Sequence, residues 1–498
     1  MSKKKVIIVG AGPGGLTAGM LLSQKGLEVD IYEKRNIVGG RNGYIQAGEF
    51  KFDIGPTFFL MKDVLERLFT ICNRNLSDYV KVIELDKMYH LIFDNKRFVP
   101  TTNFEQMVEE IERVFPGSSE GYKKYIERER KKYDRLIPCL EVPYGNITDY
   151  ISMRLVKALP YLDSHKSLFD VLGNYFDDDM LKICFTFQAK YIGMSPWLAP
   201  GLFSILSFIE HSGGVFHIEG GLNQLSQALA KVTEENGGNI HLSKEVKEII
   251  VENGIARGIR LSDDTTIWGD YVIINADFAN AMTKIVSKEN RRKYTDEKLK
   301  KMKYSCSTFM LYIGIDKIYE EIYHHNIFFA NDYKHNVEEI VSNSIVPDDP
   351  SFYVHNPSVI DKTLAPEGKS ALYVLVPIGN TSGGIDWEAE KENYKEKLLN
   401  LLETKAGMTD LRSHIEEIRV ITPNDWEHKM DVYDGATFNL GHNMGQLLYF
   451  RPHNEFEEFE NCYLVGGGTH PGSGLPTIYE SARISSELIM KREGISIS

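Results

Sequence analysis

The chain opens on Val6-Ile7-Ile8-Val9, four consecutive aliphatic β-branched residues with no polar interruption. Such an unbroken apolar run predicts a strand buried on both faces, as in a parallel sheet. Gly10-Ala11-Gly12-Pro13-Gly14-Gly15 ends the run, after which Leu16, Met20 and Leu21 fall at helical spacing up to Gly26. Val29-Asp30-Ile31-Tyr32 predicts a second strand, delivering Glu33. Residues 239–242, 246–251, 256–261 and 271–276 also read as strands, the middle two joined through Asn253-Gly254 as a hairpin. Tyr463-Leu464-Val465 predicts a strand and Gly466-Gly467-Gly468 a turn. Residues 475–491 predict a helix with Leu475, Ile478, Tyr479, Ala482, Leu488 and Ile489 on one face.

Two other segments have distinct patterns. Residues 120–135 mix charges of both signs and predict a solvated surface helix. Residues 191–209 run for 19 positions without a charge, and Pro196 and Pro200 break any regular spanning helix. This segment is expected to be a buried helix lining an apolar tunnel; a membrane-dipping surface is the other reading, and the two are compatible.

The N-terminal pattern carries chemistry. G-x-G-x-x-G between a strand and a helix, with an acid after the next strand, is a dinucleotide fingerprint. Gly10 permits the tight turn, Gly12 lets backbone approach a pyrophosphate, and Gly15 lets helix and strand pack closely, with Gly14 between them. The free helix N-terminus attracts phosphate, and Glu33, beside Lys34, is placed to accept ribose hydroxyls. Beyond it, Gly39-Gly40-Arg41 and Gly55-Pro56-Thr57 resemble the extended fingerprint of FAD enzymes of the glutathione-reductase and amine-oxidase superfamily. In that resemblance, Gly39, Gly40 and Arg41 follow the pyrophosphate and flavin, Val246 lies on the adenine side, and Ala276 lies beside the nucleotide. The helix at Leu475-Pro476 then points its N-terminus at the flavin. No second G-x-G-x-x-G occurs, so FAD is expected without a separate nicotinamide domain.

Composition narrows the reading. The chain has 498 residues, 42% hydrophobic and 26% charged, within the range of ordinary globular proteins. A net charge of −13 is the wrong sign for a nucleic-acid binder. Five scattered cysteines without a C-x-x-C pair fit reduced thiols in a cytoplasmic setting. Gly368-Lys369-Ser370 looks like the end of a P-loop, but Thr363 stands where its earlier glycine is required. No metal-ligand spacing is present. His324-His325 cannot share a helical face and reads as a surface pair; a metal there would need distant ligands, and none is expected.

Four stretches together resemble the carotenoid desaturases, the phytoene and diapophytoene desaturase group, over essentially the full length. They are the N-terminal G-A-G-P-G-G with V-G-G-R and F-D-I-G-P-T, then His355-Asn356-Pro357-Ser358 through to Pro377. Gly445-Gln446 with Tyr449-Phe450-Arg451-Pro452-His453-Asn454 follows, and then Gly466 to Pro476. The resemblance implies an α/β fold: a Rossmann-like FAD-binding domain interwoven with an α+β substrate- and membrane-associating domain. Residues 1–75, 213–286 and 423–498 would form the first, and 76–212 and 287–422 the second. It implies FAD-dependent desaturation of a long polyene hydrocarbon by a cytoplasmic, peripherally membrane-bound enzyme, oligomeric state open. Terminal-methyl oxidation or polyene isomerisation within the family, or flavin amine or porphyrinogen oxidation outside it, are the alternatives. The flavin-facing strip would include Arg41, Gly55, Pro56 and Thr57 on one side and Gly467, Gly468, Thr469, Gly474, Leu475 and Pro476 on the other. His470 is a candidate proton handler because histidine ordinarily titrates near neutrality. Arg451 is a candidate ion-pair partner.

Overall fold

The computed structural model describes residues 3–342 and 344–496. The apolar runs become five parallel strands, ordered Cys462–Leu464, Tyr271–Ile274, Lys5–Val9, Glu28–Tyr32 and Asn239–His241. Val6, Ile7 and Ile8 are fully buried, because the sheet is covered on both faces. Helices Pro13–Gln24, Asn223–Glu235 and Leu475–Arg492 pack together over one face. The other face packs on the antiparallel strands Val246–Glu252 and Ile255–Leu261, whose turn takes left-handed Asn253 and Gly254. Tyr294 and Leu299, C-terminal to residue 286, join this same core.

A second, seven-stranded sheet orders Ile415–Ile421, Ser307–Ile315, Ser370–Ile378, Phe352–His355, His325–Phe328, His90–Ile92 and Arg97–Phe98. Its period-2 alternation splits two apolar layers. Phe309, Leu311 and Ile313, with Leu372, Val374 and Val376, bury against Trp387, Tyr394 and Leu398 of the helix Trp387–Thr404. Met310, Tyr312 and Tyr373 face the opposite way, into a layer shared with Phe52 and Phe187. Strand Phe216–Ile218 pairs with Val82–Glu84 and leads into the helix Asn223–Glu235. Buried Asp53 accepts the Leu222 and Asn223 backbone N–H groups there (3.0 and 3.2 Å), supplying partners that the helix start lacks.

Two sequence expectations change. The charged segment 120–135 lies within the helix Ser119–Leu140, but it is not solvated all round. Tyr122, Tyr125, Glu129, Lys132, Leu136 and Cys139 recur at three- and four-residue steps and form a buried stripe. The two charges on that stripe are compensated: Lys132 lies 3.0 Å from Glu129 and 2.9 Å from Asp163, and donates to Ser204 Oγ. Nor is the uncharged stretch one helix. It runs through the turn Phe187–Ile192, an irregular loop, the turn Gly201–Ser204 and the helix Ile205–Gly213, because Pro196 and Pro200 interrupt backbone pairing. Ala199, Phe203, Ile205 and Phe208 fill local core, whereas Leu198 is 69% exposed.

Candidate functional site

One cavity of about 790 Å³ joins the two sheets, within the size range of small-molecule and cofactor sites. Its first half lies beyond the carboxyl end of Lys5–Val9, where strand order departs in both directions, the position at which open α/β sheets bind ligands. Gly10 has a left-handed φ of +100°, and a Cβ on Gly15 would sit 2.2 Å from the Gly10 carbonyl oxygen. Asn275 Nδ2 donates to that same oxygen at 2.9 Å. Helix Pro13–Gln24 therefore starts directly under the strand end. Its N-cap, Gly12, has no side chain to satisfy the first N–H groups.

Glu33 is buried, and its carboxylate accepts Ala11 N–H (2.8 Å) and Arg35 N–H (2.9 Å), so it both closes the glycine loop and faces the cavity. Lys34, beside it, pairs with Asp431, and burial lowers its pKa. Arg41 donates to the Thr437 carbonyl at 3.0 Å and lies 3.7 Å from Asp277. Desolvation raises the Asp277 pKa despite this guanidinium. Thr437 Oγ1 is buried on the cavity wall without a protein partner, as expected of a group that meets a ligand.

The structure brings most of the expected cofactor residues to this wall. Gly10, Gly12, Gly14, Glu33, Lys34, Gly40, Arg41, Gly55, Pro56 and Thr57 line it, as do Val246, Ala276, Gly467, Gly474, Leu475 and Pro476. Gly15, Gly39 and Gly468 stand behind it. Gly15 makes the close backbone crossing, Gly39 takes φ +110° ahead of the turn Gly40–Asn42, and a Cβ on Gly468 would meet Phe278 at 2.5 Å.

His470 is also behind the wall. Its ring is buried against Tyr144, its backbone bonds to Pro452 and Asn454, and burial pushes its pKa down to about 3. The reading as a proton handler near neutrality is therefore corrected: desolvation keeps this imidazole uncharged, away from the reacting space. Arg451 is corrected as well. It is fully buried and has no carboxylate partner among the described residues; it donates to five backbone carbonyls, those of Leu440, Gly441, Gln446, Gly467 and Thr469. Carbonyl dipoles take the place of a counter-ion, and desolvation lowers its pKa to about 9. The side chain thereby pins the Gly467 turn of the cavity wall to the loop at 440–446. His324 and His325 are not surface residues either: both are fully buried, because sheet pairing draws this stretch inside.

The second half of the cavity was not legible as a site from sequence. Thr308 and Met310, with Tyr373, Leu375 and Pro377, present alternate residues of two neighbouring strands to it. Phe58, Phe187, Ile327, Phe329, Tyr353 and Trp426 complete an aromatic and aliphatic wall. Tyr353 OH bonds Thr57 Oγ1 (2.8 Å) and His325 Nδ1 (2.7 Å), and Tyr373 OH donates to the Gly55 carbonyl at 2.7 Å, so both phenols are anchored. Period-2 alternation in 307–315 and 370–378 was the available signal. The uncharged stretch contributes nothing to this wall from 193 to 209; its neighbours Phe187 and Lys190 do. The tunnel-lining expectation for that segment is therefore corrected. Proline-broken backbone turns Ala199, Phe203, Ile205 and Phe208 into local core instead and leaves Leu198 exposed. Lys190 lies 4.5 Å over the Tyr333 ring, and burial lowers its pKa to about 7.

Similarity to known proteins agrees with this geometry. The model of the family described as flavin containing amine oxidoreductase matches residues 13–490. The chain is 51% identical to a 4,4'-diapophytoene desaturase (4,4'-diapolycopene-forming) of Methylomonas sp., covering 99% of this chain and 96% of the relative. It is 35% identical to the zeta-carotene-forming phytoene desaturase of Myxococcus xanthus, over 99% of this chain and 96% of the relative. Among solved structures, putrescine oxidase bound to putrescine superposes with a TM-score of 0.63 at 15% identity, covering 99% of each chain. That likeness establishes the shared fold.

Arg451→Met should remove the guanidinium that donates to five buried carbonyls, of which Gly441 and Gly467 keep a second donor in Gln446 Nε2 and Ser473 Oγ. The expected outcome is a loss of about 3 kcal/mol or more of stability, measured as a lower denaturation midpoint, together with reduced flavin content in the purified protein.

Proposed function

From its place in the flavin containing amine oxidoreductase family, to which the chain belongs, we propose that it desaturates a long polyene hydrocarbon of the 4,4'-diapophytoene type in carotenoid biosynthesis. It is an FAD-dependent oxidoreductase. The observation that carries the substrate class is the composition of the cavity's second half: an aromatic and aliphatic wall continuous with the dinucleotide cradle. A cationic amine would meet Lys190 there, a like charge whenever the lysine is protonated, whereas a hydrocarbon meets matching apolar surface.

FAD, when bound, supplies the two-electron acceptor for the hydrogen removed from carbon. Gly10, Gly12 and Gly14 with the helix N-terminus would hold its phosphates, Glu33 its ribose, and Arg41 and the Gly467 turn its flavin end. Met310, Leu375 and Tyr373 align the chain and keep water from it. Lys190 Nζ, neutral above about pH 7, is the acceptor for the accompanying proton. Residues 1–75, 213–286 and 423–498, with Tyr294 and Leu299 packed into their core, act as the cofactor unit, and the remainder as the substrate unit.

Membrane association supplies the lipid-dissolved substrate. Among the described residues, no helix is long and apolar enough to cross a bilayer. Met153 and Leu159 are 67% and 60% exposed on the short helical segment that also carries Arg154 and Lys157, a pattern suited to an interfacial helix. Exposed Ile147 and Phe450 lie on two turns that touch each other.

Co-expression with an enzyme that makes 4,4'-diapophytoene, in a pigment-free host, should yield coloured polyenes by chromatography. Only unchanged colourless precursor would refute the desaturase reading. Leu375→Trp should keep bound flavin while cutting product formation at least about tenfold by displacing the chain.

The rate should also rise with pH through about 7 as Lys190 loses its charge, because the neutral amine accepts a proton and no longer opposes an apolar ligand. Lys190→Met should flatten that limb in a pH–rate profile and lower the plateau.

Replacing Met153, Val156 and Leu159 together by serine should abolish co-sedimentation with phosphatidylglycerol–phosphatidylethanolamine vesicles, with flavin content unchanged. Undiminished co-sedimentation would rule this surface out.

A further inference from the structure

Three histidines distant in sequence meet in the interior, apart from the cavity wall. His217 is the middle residue of Phe216–Ile218, His324 directly precedes the strand His325–Phe328, and His355 ends Phe352–His355. Register pairs His325 with His355, and the Asn356 N–H donates to the His324 carbonyl at 2.9 Å, fixing two of the three backbones relative to each other. One ring nitrogen from each histidine lies within 4.8 Å of the other two. The three are 0%, 0% and 2% exposed.

The hydrogen bonding around them is incomplete. His217 Nε2 is 2.8 Å from Asp361, a carboxylate that also accepts the N–H groups of Gly220 and Thr363. With Nε2–H committed to Asp361, His217 Nδ1 carries a bare lone pair, and it has no partner. Leaving that nitrogen unpaired in the interior is costly, a cost that a bound ion would relieve. His324 Nε2 and His355 Nε2 hydrogen-bond to each other at 3.2 Å, a contact that an ion between them would replace. Two imidazoles on a tetrahedral zinc, with Zn–N of about 2.0–2.1 Å, stand roughly 3.3 Å apart.

We propose that His217, His324 and His355 bind a divalent first-row transition metal, zinc foremost, as a structural site. Imidazole nitrogens favour zinc, copper, nickel or iron over calcium and magnesium. Asp361 orients His217 from the outer shell, the usual carboxylate–histidine–metal arrangement. Complete burial, away from the cavity, fits a structural role; the three histidines supply three ligands, and the fourth tetrahedral position would fall to a water. The ion would staple strand Phe216–Ile218, which leads to the cofactor-side helix Asn223–Glu235, onto the mixed sheet. It would also hold the stretch whose next residue, His325, anchors Tyr353 in the cavity wall.

The test is elemental analysis of flavin-loaded, untagged protein, expressed with supplementary zinc and purified without chelator. About one zinc per chain is expected. The double variant His324→Gln/His355→Gln should carry below about a tenth of an ion per chain while keeping its flavin. Should that variant fail to fold, cobalt-exchanged wild-type protein decides: strong visible bands of low-coordinate, nitrogen-ligated cobalt support the site, and their absence overturns it. Wild-type protein lacking stoichiometric metal, or metal retained by the folded double variant, also overturns it.

Discussion

Everything on the cofactor side depends on one close approach of backbone to backbone. The Gly10 carbonyl, the start of the helix Pro13–Gln24 and the Asn275 amide meet within hydrogen-bond and van der Waals distance. A side chain at Gly15 would drive helix and strand apart, because its Cβ would fall 2.2 Å from the Gly10 carbonyl oxygen. That single crossing ties together two stretches far apart in sequence, the N-terminal unit and the strand Tyr271–Ile274. It also sets a positive helix end against the cavity, as the proposed phosphate cradle requires.

The second sheet gives the same cavity its opposite character. A strand that alternates residues between two faces can bury one set and offer the other to a ligand. In Ser307–Ile315 and Ser370–Ile378 the buried set packs on the helix Trp387–Thr404, which leaves Met310, Tyr373 and Leu375 rigidly backed. The cavity thus passes from backbone amides and paired charges to hydrocarbon without a separate channel. Burial does the electrostatic work along it, keeping His470 neutral behind the wall and bringing the Lys190 ammonium close to neutrality at physiological pH.

Polar groups in this interior act as fasteners. Arg451 gathers five carbonyls from two loops, Asp53 joins its strand to the start of the helix Asn223–Glu235, and Tyr353 links the cavity wall to the histidines behind it. Each replaces water that the surrounding apolar packing excludes, so removing any of them leaves unpaired groups rather than a neutral gap.

The glycine fingerprint, the flanking strands, the Asn253-Gly254 turn and the C-terminal helix were legible in the sequence because each rests on local rules. Those rules are period, turn conformation and the need for bare backbone near phosphate. The cofactor followed from the same residues, and the family from these together with the stretches 355–377, 445–454 and 466–476. Tertiary structure decided what depends on neighbours remote in sequence. Lys132 became a compensated interior charge, Arg451 a carbonyl clamp, and the His324-His325 pair an interior element. The uncharged run from 191 to 209, read locally as a tunnel wall, was broken by Pro196 and Pro200 and folded into separate pieces of core and surface. The wall itself came from alternate residues on strands that pair only after the chain has folded. Burial, and with it the charge state of each titratable group, belongs to the assembled interior: the dielectric around a side chain is set by whatever packs against it, which local sequence does not specify.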